Sequence, residues 1–368
     1  MGYICESINK ILENKNSDKY IIELIKERLK KCNFKLYKYC SIDKDFYFNN
    51  LENDILYFNS IDSFNDPFES TLTCSDFVIN YSLLNTINNI PQSKKLLSQI
   101  SLLTAKTLIK NSNLNETALK NKLAEELLVF LKNDSNGTIL EPTINDTKQL
   151  VELVGDKNLS TGNFESLLHK FSVKTQRKID LKPYHIAVSD IKQNTPKSIK
   201  NTLSSNYKLT CFSEKPNDIL MWSHYANKHQ GFVVEYNFSE IFNDEELIKQ
   251  NLEVLLLLFK IEYINKVPVV PISLLQNNNK IEDYLGDVLE MIYQKNKCWK
   301  YEKEWRSVIR RDNNCEIKFI KPSKVIAGVN SSDETMRKLK IICTKRGIKL
   351  KKYKMNLKTY SLRLINCK

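Results

Sequence analysis

The first 32 residues alternate apolar and charged positions with the spacing of amphipathic helices. Apolar side chains recur three or four positions apart from Ile8 to Leu29, so one stripe of each helix would be buried. The pattern changes afterwards, because residues 35–39 and 55–58 are short, aromatic runs typical of β-strands. We therefore predict an N-terminal helical segment over 1–32, followed by two strands of a sheet.

A long polar region separates these two strands from the remaining strand signals. From 80 to 204, apolar positions recur at helical spacing between loops rich in Asn, Ser, Thr and Gly. This pattern predicts a helical insertion at 80–204 within an α+β core domain formed by 33–79 and 205–368. Strand-like runs return at 208–212, 232–236, 259–263, 304–309 and 324–329.

The C-terminal segment carries the clearest local signals. Ser331 and Glu334 fit a capping box, the helix that follows runs to about Arg346, and Gly347 is placed to end it. Residues 348–355 then alternate like a strand. With the earlier elements, these signals predict an α+β fold with a mixed, mainly antiparallel sheet.

Composition narrows the class of protein. Apolar residues make up 42% of the 368-residue chain and charged residues 27%, which excludes a wholly disordered chain. The longest apolar run, Val254–Phe259, is far shorter than the roughly 20 residues that cross a bilayer. The N-terminus shows no signal-peptide pattern, and the nine cysteines include no C-x-x-C pair. We expect a cytoplasmic protein without membrane contacts.

The net charge of +13 has two interpretations. A basic chain favours phosphate-rich partners, because binding releases counterions. Lysine is also frequent throughout the chain, as a biased codon usage would produce. One local concentration of basic residues, between Lys345 and Lys358, surrounds Tyr353 and is consistent with nucleic-acid contacts.

The stretch KCWKYEKEWR, residues 297–306, is the first candidate for chemistry. As a strand it would place Glu302, Glu304 and Arg306 on one face. Neighbouring carboxylates raise one another's pKa unless a cation offsets them, and Arg306 is a candidate for that cation. The alternative is a salt-bridged strand face, with Trp299 and Trp305 as core anchors.

Two further motifs have both functional and structural explanations. Trp222, His224 and Tyr225, within MWSHYA, can clamp a planar ring. Otherwise they mark a helix end that buries Trp222 and turns at Gly231. Asn65-Asp66-Pro67 fits an Asx turn. The sequence has no P-loop, dinucleotide-binding, nucleophile-elbow or zincin motif.

Together and in this order, the motifs resemble a widespread bacterial family of domains of unknown function. The resemblance covers about 33–70 and 207–355. It rests on the motifs L-Y-K-Y, F-N-D-P-F-E, C-F-S, M-W-S-H-Y-A, G-F and W-x-Y-E-x-E-W-R. In that family an arginine commonly follows the second tyrosine of the first motif, where this chain has Cys40.

The layout of these strands and carboxylates is similar to that of ADP-ribosyltransferase folds. That similarity implies cleavage of NAD as the substrate, by a bacterial toxin or phage-defence effector that modifies nucleic acid or protein. It implies no metal. It makes Glu304 the catalytic carboxylate, with Glu302 and His224 assisting. The implied contacts to NAD come from Tyr37, Tyr39, Asn65, Trp222, Tyr225 and Arg306.

Two alternatives stay open at this point. A metal-dependent nuclease-like effector acting on RNA or DNA would hold Mg²⁺ or Mn²⁺ with Glu302, Glu304 and Asp66, and phosphates with the basic C-terminal strand. A non-catalytic binding module would recognise its partner through the aromatic residues. A metal requirement distinguishes the first alternative from NAD cleavage.

Overall fold

The computed structural model describes residues 18–43, 46–74, 125, 129, 182–271 and 281–367. The predictions for 1–17 and for most of the insertion at 80–181 lie outside the described residues. The chain divides into two compact units. The first comprises 1–71, 200–268 and 280–368, and the second comprises 72–199 and 269–279. Within the second unit, the amide of Val270 donates to the carbonyl of Thr73.

The described part of the chain contains helices, short 3₁₀ turns and strands. The helices are α1 (Asp18–Lys30), α2 (Phe46–Asn53), α3 (Lys182–Asn206), α4 (Ile219–Tyr225), α5 (Glu245–Leu256), α6 (Ile281–Ile292) and α7 (Asp333–Arg346), with 3₁₀ turns at Ile61–Ser63, Ile241–Asn243 and Lys297–Glu302. The strands are β1 (Lys35–Cys40), β2 (Ile55–Ser60), β3 (Tyr207–Ser213), β4 (Phe232–Asn237), β5 (Leu258–Lys260), β6 (Glu262–Ile264), β7 (Gln294–Asn296), β8 (Glu304–Arg310), β9 (Cys315–Lys318), β10 (Lys324–Ala327), β11 (Lys349–Asn356) and β12 (Ser361–Asn366).

The ten-stranded sheet of the first unit consists of two halves. One half has the strand order β12-β11-β10-β4-β1. In the other half β3 is central: β2 and then β9 follow on one side of it, and β8 and then β5 follow on the other. The pairings are antiparallel except for β10 with β11, and β6 forms a separate parallel pair with β7. This confirms the predicted α+β class with a mixed, mainly antiparallel sheet.

The two halves meet at one point. β1 pairs with β4 along its whole length, and β3 pairs with β8 along its whole length. Between β1 and β3, in contrast, the register brings together only Tyr37 and Ser213. The strands diverge beyond this pair, so the sheet has a gap there.

Apolar side chains are buried on both faces of the sheet. On one face the main core includes side chains of α1, α2, α5 and α7, among them Ile25, Leu51, Leu255 and Leu339. On the other face α4 places Trp222 in a smaller cluster. None of the helices in the described ranges has the length and apolar content needed to cross a membrane.

The stretch 297–306 is only partly a strand. Lys297–Glu302 forms a 3₁₀ turn, which begins where the side chain of Asn296 accepts a hydrogen bond from the amide of Cys298. Lys303 takes the left-handed conformation, with φ 48° and ψ 47°, and β8 starts at Glu304. The predicted strand is therefore wrong before Glu304, because local side-chain capping favours a turn there.

Two other local predictions need smaller corrections. The run 259–263 splits into β5 and β6. The N-cap of α7 is Ser332, whose hydroxyl accepts from the amide of Thr335, whereas Ser331 donates to the carbonyl of Gln230. The end of α7 at Gly347 is confirmed, since this glycine has φ 62° and caps the helix.

Candidate functional site

A cavity of about 200 Å³ lies where β1 and β3 diverge. Residues Tyr37 to Tyr39 of β1 line it on one side, and residues Leu209 to Ser213 of β3 line the other. Helix α2 and the segment around Phe64 complete the wall. Much of that wall is aromatic, with rings from Tyr37, Tyr39, Phe46, Tyr47, Tyr57, Phe64 and Tyr225. The gap in the sheet is therefore a pocket suited to a flat ring.

Two carboxylates and an ammonium group form the floor of the cavity. Lys295 Nζ donates to Glu302 Oε2 at 2.6 Å and to Glu304 Oε2 at 3.0 Å. Lys295 comes from β7, while the left-handed Lys303 turns the chain between the two glutamates. This turn brings a residue of the 3₁₀ segment beside the first residue of β8. All three charged side chains are buried.

Arg306 holds Glu304 from behind the floor. Its Nε donates to Glu304 Oε1 at 2.7 Å, and its two terminal nitrogens donate to the oxygens of Glu69 at 2.5 and 2.8 Å. Another hydrogen bond, of 2.5 Å, reaches the carbonyl of Ile292. The guanidinium is fully buried, so it fixes the orientation of Glu304 and does not line the cavity.

The pKa values of the two floor glutamates shift in opposite directions. Burial alone would raise the pKa of Glu304, but Arg306 and Lys295 hold it well below its usual range. Burial, reinforced by the charge of Glu304, raises the pKa of Glu302 to about 7. The Tyr225 hydroxyl donates to Glu302 Oε1 at 2.6 Å. Near neutral pH, one carboxylate is permanently ionised and the other exchanges a proton.

Two polar groups on the cavity wall are available to a ligand. Lys38 Nζ donates to Thr210 Oγ1 at 2.5 Å and to the Cys211 carbonyl at 3.3 Å, and burial lowers the pKa of this amine. Asn50 is 8% exposed, and no donor among the described residues reaches its buried Oδ1. A buried acceptor without a partner is costly, so a ligand N–H that reaches it gains affinity.

Replacing Lys38 with methionine is expected to raise the stability of the protein by about 1 kcal/mol, because its two hydrogen bonds offset only part of the cost of burying the amine. The same variant should lose stabilisation by an anionic ligand. Thermal unfolding measures both effects. Lys35→Met, at an exposed position on the same strand, is the control and should change the melting temperature little. A lower stability of Lys38→Met would show that Lys38 is a structural cation.

The residues predicted from sequence fall into three places. Tyr37, Tyr39, Tyr225, Glu302 and Glu304 line the cavity. Asn65 lies beside it, since its Oδ1 accepts from Tyr225 at 3.3 Å. The remaining residues do not line the cavity, namely Arg306 behind the floor, Trp222 in the core and His224 at the surface.

The placement of Trp222 follows the structural explanation of its motif. The indole is fully buried, packs edge-on against Tyr39 and Tyr353, and donates from Nε1 to the carbonyl of Pro216 at 2.7 Å. Gly231 is required by close packing: an added Cβ would lie 2.2 Å from the carbonyl oxygen of Cys40. Trp222 therefore supports the wall of the cavity from behind.

Four residues of the site were not among the sequence candidates. Glu69 is the last residue of the N-D-P-F-E motif, and its place in that motif could have identified it as a site residue. Lys38 lies within the L-Y-K-Y motif, which was a signal of the same kind. Lys295 and Asn50 carry no such signal, because their role depends on which strands and helices meet at the gap.

The carboxylates proposed for a metal do not form one group. Asp66 Oδ1 accepts from the amide of Phe68 at 2.9 Å, which is the predicted Asx turn. Lys295 lies between Glu302 and Glu304, where a metal cation would otherwise bind. Within the described ranges, no three His, Cys, Asp or Glu side chains are placed to hold a metal ion.

Part of this site lies in a segment that is similar to a known protein family. Residues 221–307 match the model described as "Protein of unknown function (DUF2971)". No curated protein and no solved structure matches the chain. The segment that supplies Tyr225, Lys295, Glu302, Glu304 and Arg306 is thus similar to an uncharacterised domain family.

Proposed function

We propose that the cavity binds the nicotinamide and adjoining ribose of NAD and cleaves the bond between them, as an ADP-ribosyltransferase-like enzyme does. One observation carries this proposal: two buried carboxylates with opposite pKa shifts lie at the floor of an aromatic pocket. Cleavage of an N-glycosidic bond develops positive charge on the sugar. A fixed anion and an adjacent proton-transfer group match the needs of that reaction.

The two glutamates take different roles in this reaction. Glu304 stays ionised, because Arg306 and Lys295 stabilise its anion, and it stabilises the developing oxocarbenium ion. Glu302 accepts a proton from the acceptor hydroxyl or amine that attacks the sugar. Its pKa near 7 makes it an effective base at neutral pH.

The cavity wall accounts for recognition of the leaving ring. The tyrosine and phenylalanine rings pack against a planar heterocycle, and Asn50 Oδ1 accepts a hydrogen bond from its carboxamide N–H. A volume of about 200 Å³ is below the ~300–1,000 Å³ of pockets for drug-sized ligands. The cavity therefore receives the nicotinamide end of NAD, and the adenosine end extends outside it.

The test of this proposal is release of nicotinamide from NAD, followed by chromatography, with and without RNA, DNA or protein acceptors. Wild-type protein should release nicotinamide, with no requirement for Mg²⁺ or Mn²⁺. Thermal stabilisation by nicotinamide alone should accompany it. If NAD is neither cleaved nor bound while RNA or DNA is cut in the presence of metal, the nuclease alternative replaces this proposal.

The rate of ADP-ribosyl transfer from NAD to an acceptor, with release of nicotinamide, is expected to rise with pH through an apparent pKa near 7, because Glu302 acts when deprotonated. In Glu302→Gln the rate should fall about 10²-fold and lose this inflection. The folded-state pKa of Glu302 is raised, so its contribution to stability is present below about pH 4.3 and is lost as pH rises through about 7.

Glu302→Gln should therefore gain stability relative to wild type between about pH 5 and pH 8. Denaturant unfolding at both pH values measures this difference. Glu316→Gln, an exposed change on β9, is the control. An unchanged inflection in Glu302→Gln would assign the pH dependence to another group.

A further inference from the structure

The positive charge of the chain is concentrated at its C-terminal end. Residues 335–368 contain 12 Lys or Arg and no Asp or Glu, whereas residues 1–334 contain 44 basic and 43 acidic residues. Lysines are spread along the chain, but the carboxylates that balance them stop at Glu334. Almost the whole net charge of +13 therefore belongs to residues 335–368, which include most of α7 and all of β11 and β12.

Strands β11 and β12 with the turn at 357–360 form the C-terminal hairpin. Lys354 of β11 lies directly opposite Arg363 of β12, and both side chains are exposed. Like charges in cross-strand pairs are destabilising, and this segment offers no carboxylate between them. An anionic partner would relieve that repulsion.

The other face of the hairpin borders an open groove of about 550 Å³. Met355, Leu357, Tyr360 and His229 give it apolar and aromatic surface, with Lys358 at its margin. Leu357 is 92% exposed and Tyr360 is fully exposed. The His229 ring stacks on Trp222, with 6.2 Å between ring centroids and an interplanar angle of 13°. An exposed tyrosine and a half-buried histidine beside Lys358 form a surface typical of single-strand binding.

We propose that this groove and hairpin bind single-stranded nucleic acid. Bases lie in the groove against Tyr360 and its apolar neighbours, with a phosphate near Lys358 at the margin. The strand then continues around the hairpin, where Lys354 and Arg363 on the opposite face hold further phosphates. The concave groove also carries polar groups, such as Asn330 and Asn356, that suit base edges and would lose hydration in a lipid bilayer. Binding here does not depend on NAD cleavage. If the proposed function holds, the surface would present a nucleic-acid acceptor.

The test is fluorescence anisotropy of labelled 20-nucleotide single-stranded RNA and DNA with the full-length protein, without NAD. Binding should weaken as salt increases, with a slope of about −0.7 for each phosphate contact. Lys354→Glu/Lys358→Glu/Arg363→Glu should weaken it at least 30-fold. Tyr360→Ala should weaken it about tenfold with little change in the salt slope, because it removes stacking and leaves the charge in place.

The matched control is Lys30→Glu/Lys249→Glu/Lys266→Glu, which makes the same change in net charge at exposed positions elsewhere. Its affinity should fall less than threefold. Equal losses in both triple variants would overturn the proposal, since binding would then follow net charge alone. Absence of nucleic-acid binding, with recruitment to vesicles containing 30% anionic phospholipid, would also overturn it and assign the hairpin to a membrane surface.

Discussion

Replacing Arg306 with methionine is expected to lower the free energy of unfolding by about 3–5 kcal/mol, which is the range for removing one partner from a buried ion pair. The guanidinium contacts both Glu304 and Glu69 in a place that water does not reach. Without it, Glu69 loses a bidentate partner, and Glu304 keeps one cation, Lys295, and the Cys211 thiol. Both carboxylates would stay buried with too little positive charge nearby.

Urea unfolding of purified protein measures this loss. Arg310→Met, at the exposed end of the same strand, is the matched control and should change stability by less than about 0.5 kcal/mol. Combining Arg306→Met with Glu69→Gln should restore part of the stability, because it removes the stranded charge. A loss below about 1 kcal/mol in Arg306→Met would show that Glu304 and Glu69 are stabilised by other groups.

Replacing Glu304 with glutamine is expected to reduce nicotinamide release by about 10³-fold with little change in the KM for NAD, since the fixed anion acts mainly on the transition state. Glutamine keeps the shape of the side chain, and its carbonyl oxygen can still accept from Lys295, but its NH₂ group cannot replace the oxygen that accepts from Arg306 Nε. Single-turnover measurements with saturating NAD would separate this chemical effect from binding.

The control for this change is Glu262→Gln, on β6 and exposed. It should leave the rate within about twofold of wild type. Circular dichroism of Glu304→Gln must show a folded protein for the kinetic result to count. Unchanged release by the folded variant would remove Glu304 from the reaction and leave the cluster as a structural ion network.

Strand β8 shows which residues of the site the alternation of side chains could predict. Alternation placed Glu304 and Arg306 on one face, and their hydrogen bond confirms it. Glu302 joins them for a different reason, the left-handed backbone at Lys303, which side-chain periodicity does not predict. Lys295 arrives from β7, and the position of one short strand relative to another depends on tertiary packing. The pattern thus found the two carboxylates and Arg306, and it missed Lys295, the cation that contacts both carboxylates.

In the motif M-W-S-H-Y-A, the sequence suggested one shared site, but the structure places the three aromatic residues in different surroundings. Trp222, His224 and Tyr225 are neighbours in sequence, but consecutive helical residues point in different directions, so one is buried, one exposed and one on the cavity. The residues beside Asn50 in the sequence do not suggest a ligand site. Asn50 lines the cavity because helix α2 packs beside the gap between β1 and β3. Sites formed between elements are harder to predict than sites within one strand.

The single registered backbone pair between β1 and β3 has a mechanical consequence. Each half of the sheet is held internally by full ladders, but Tyr37 and Ser213 are the one registered pair across the seam. A backbone hydrogen bond contributes only about 0.5–1.5 kcal/mol net. The seam is therefore the weakest backbone junction of the sheet, and opening it would break the two hydrogen bonds of Lys38 and the contact between the Phe212 and Tyr236 rings.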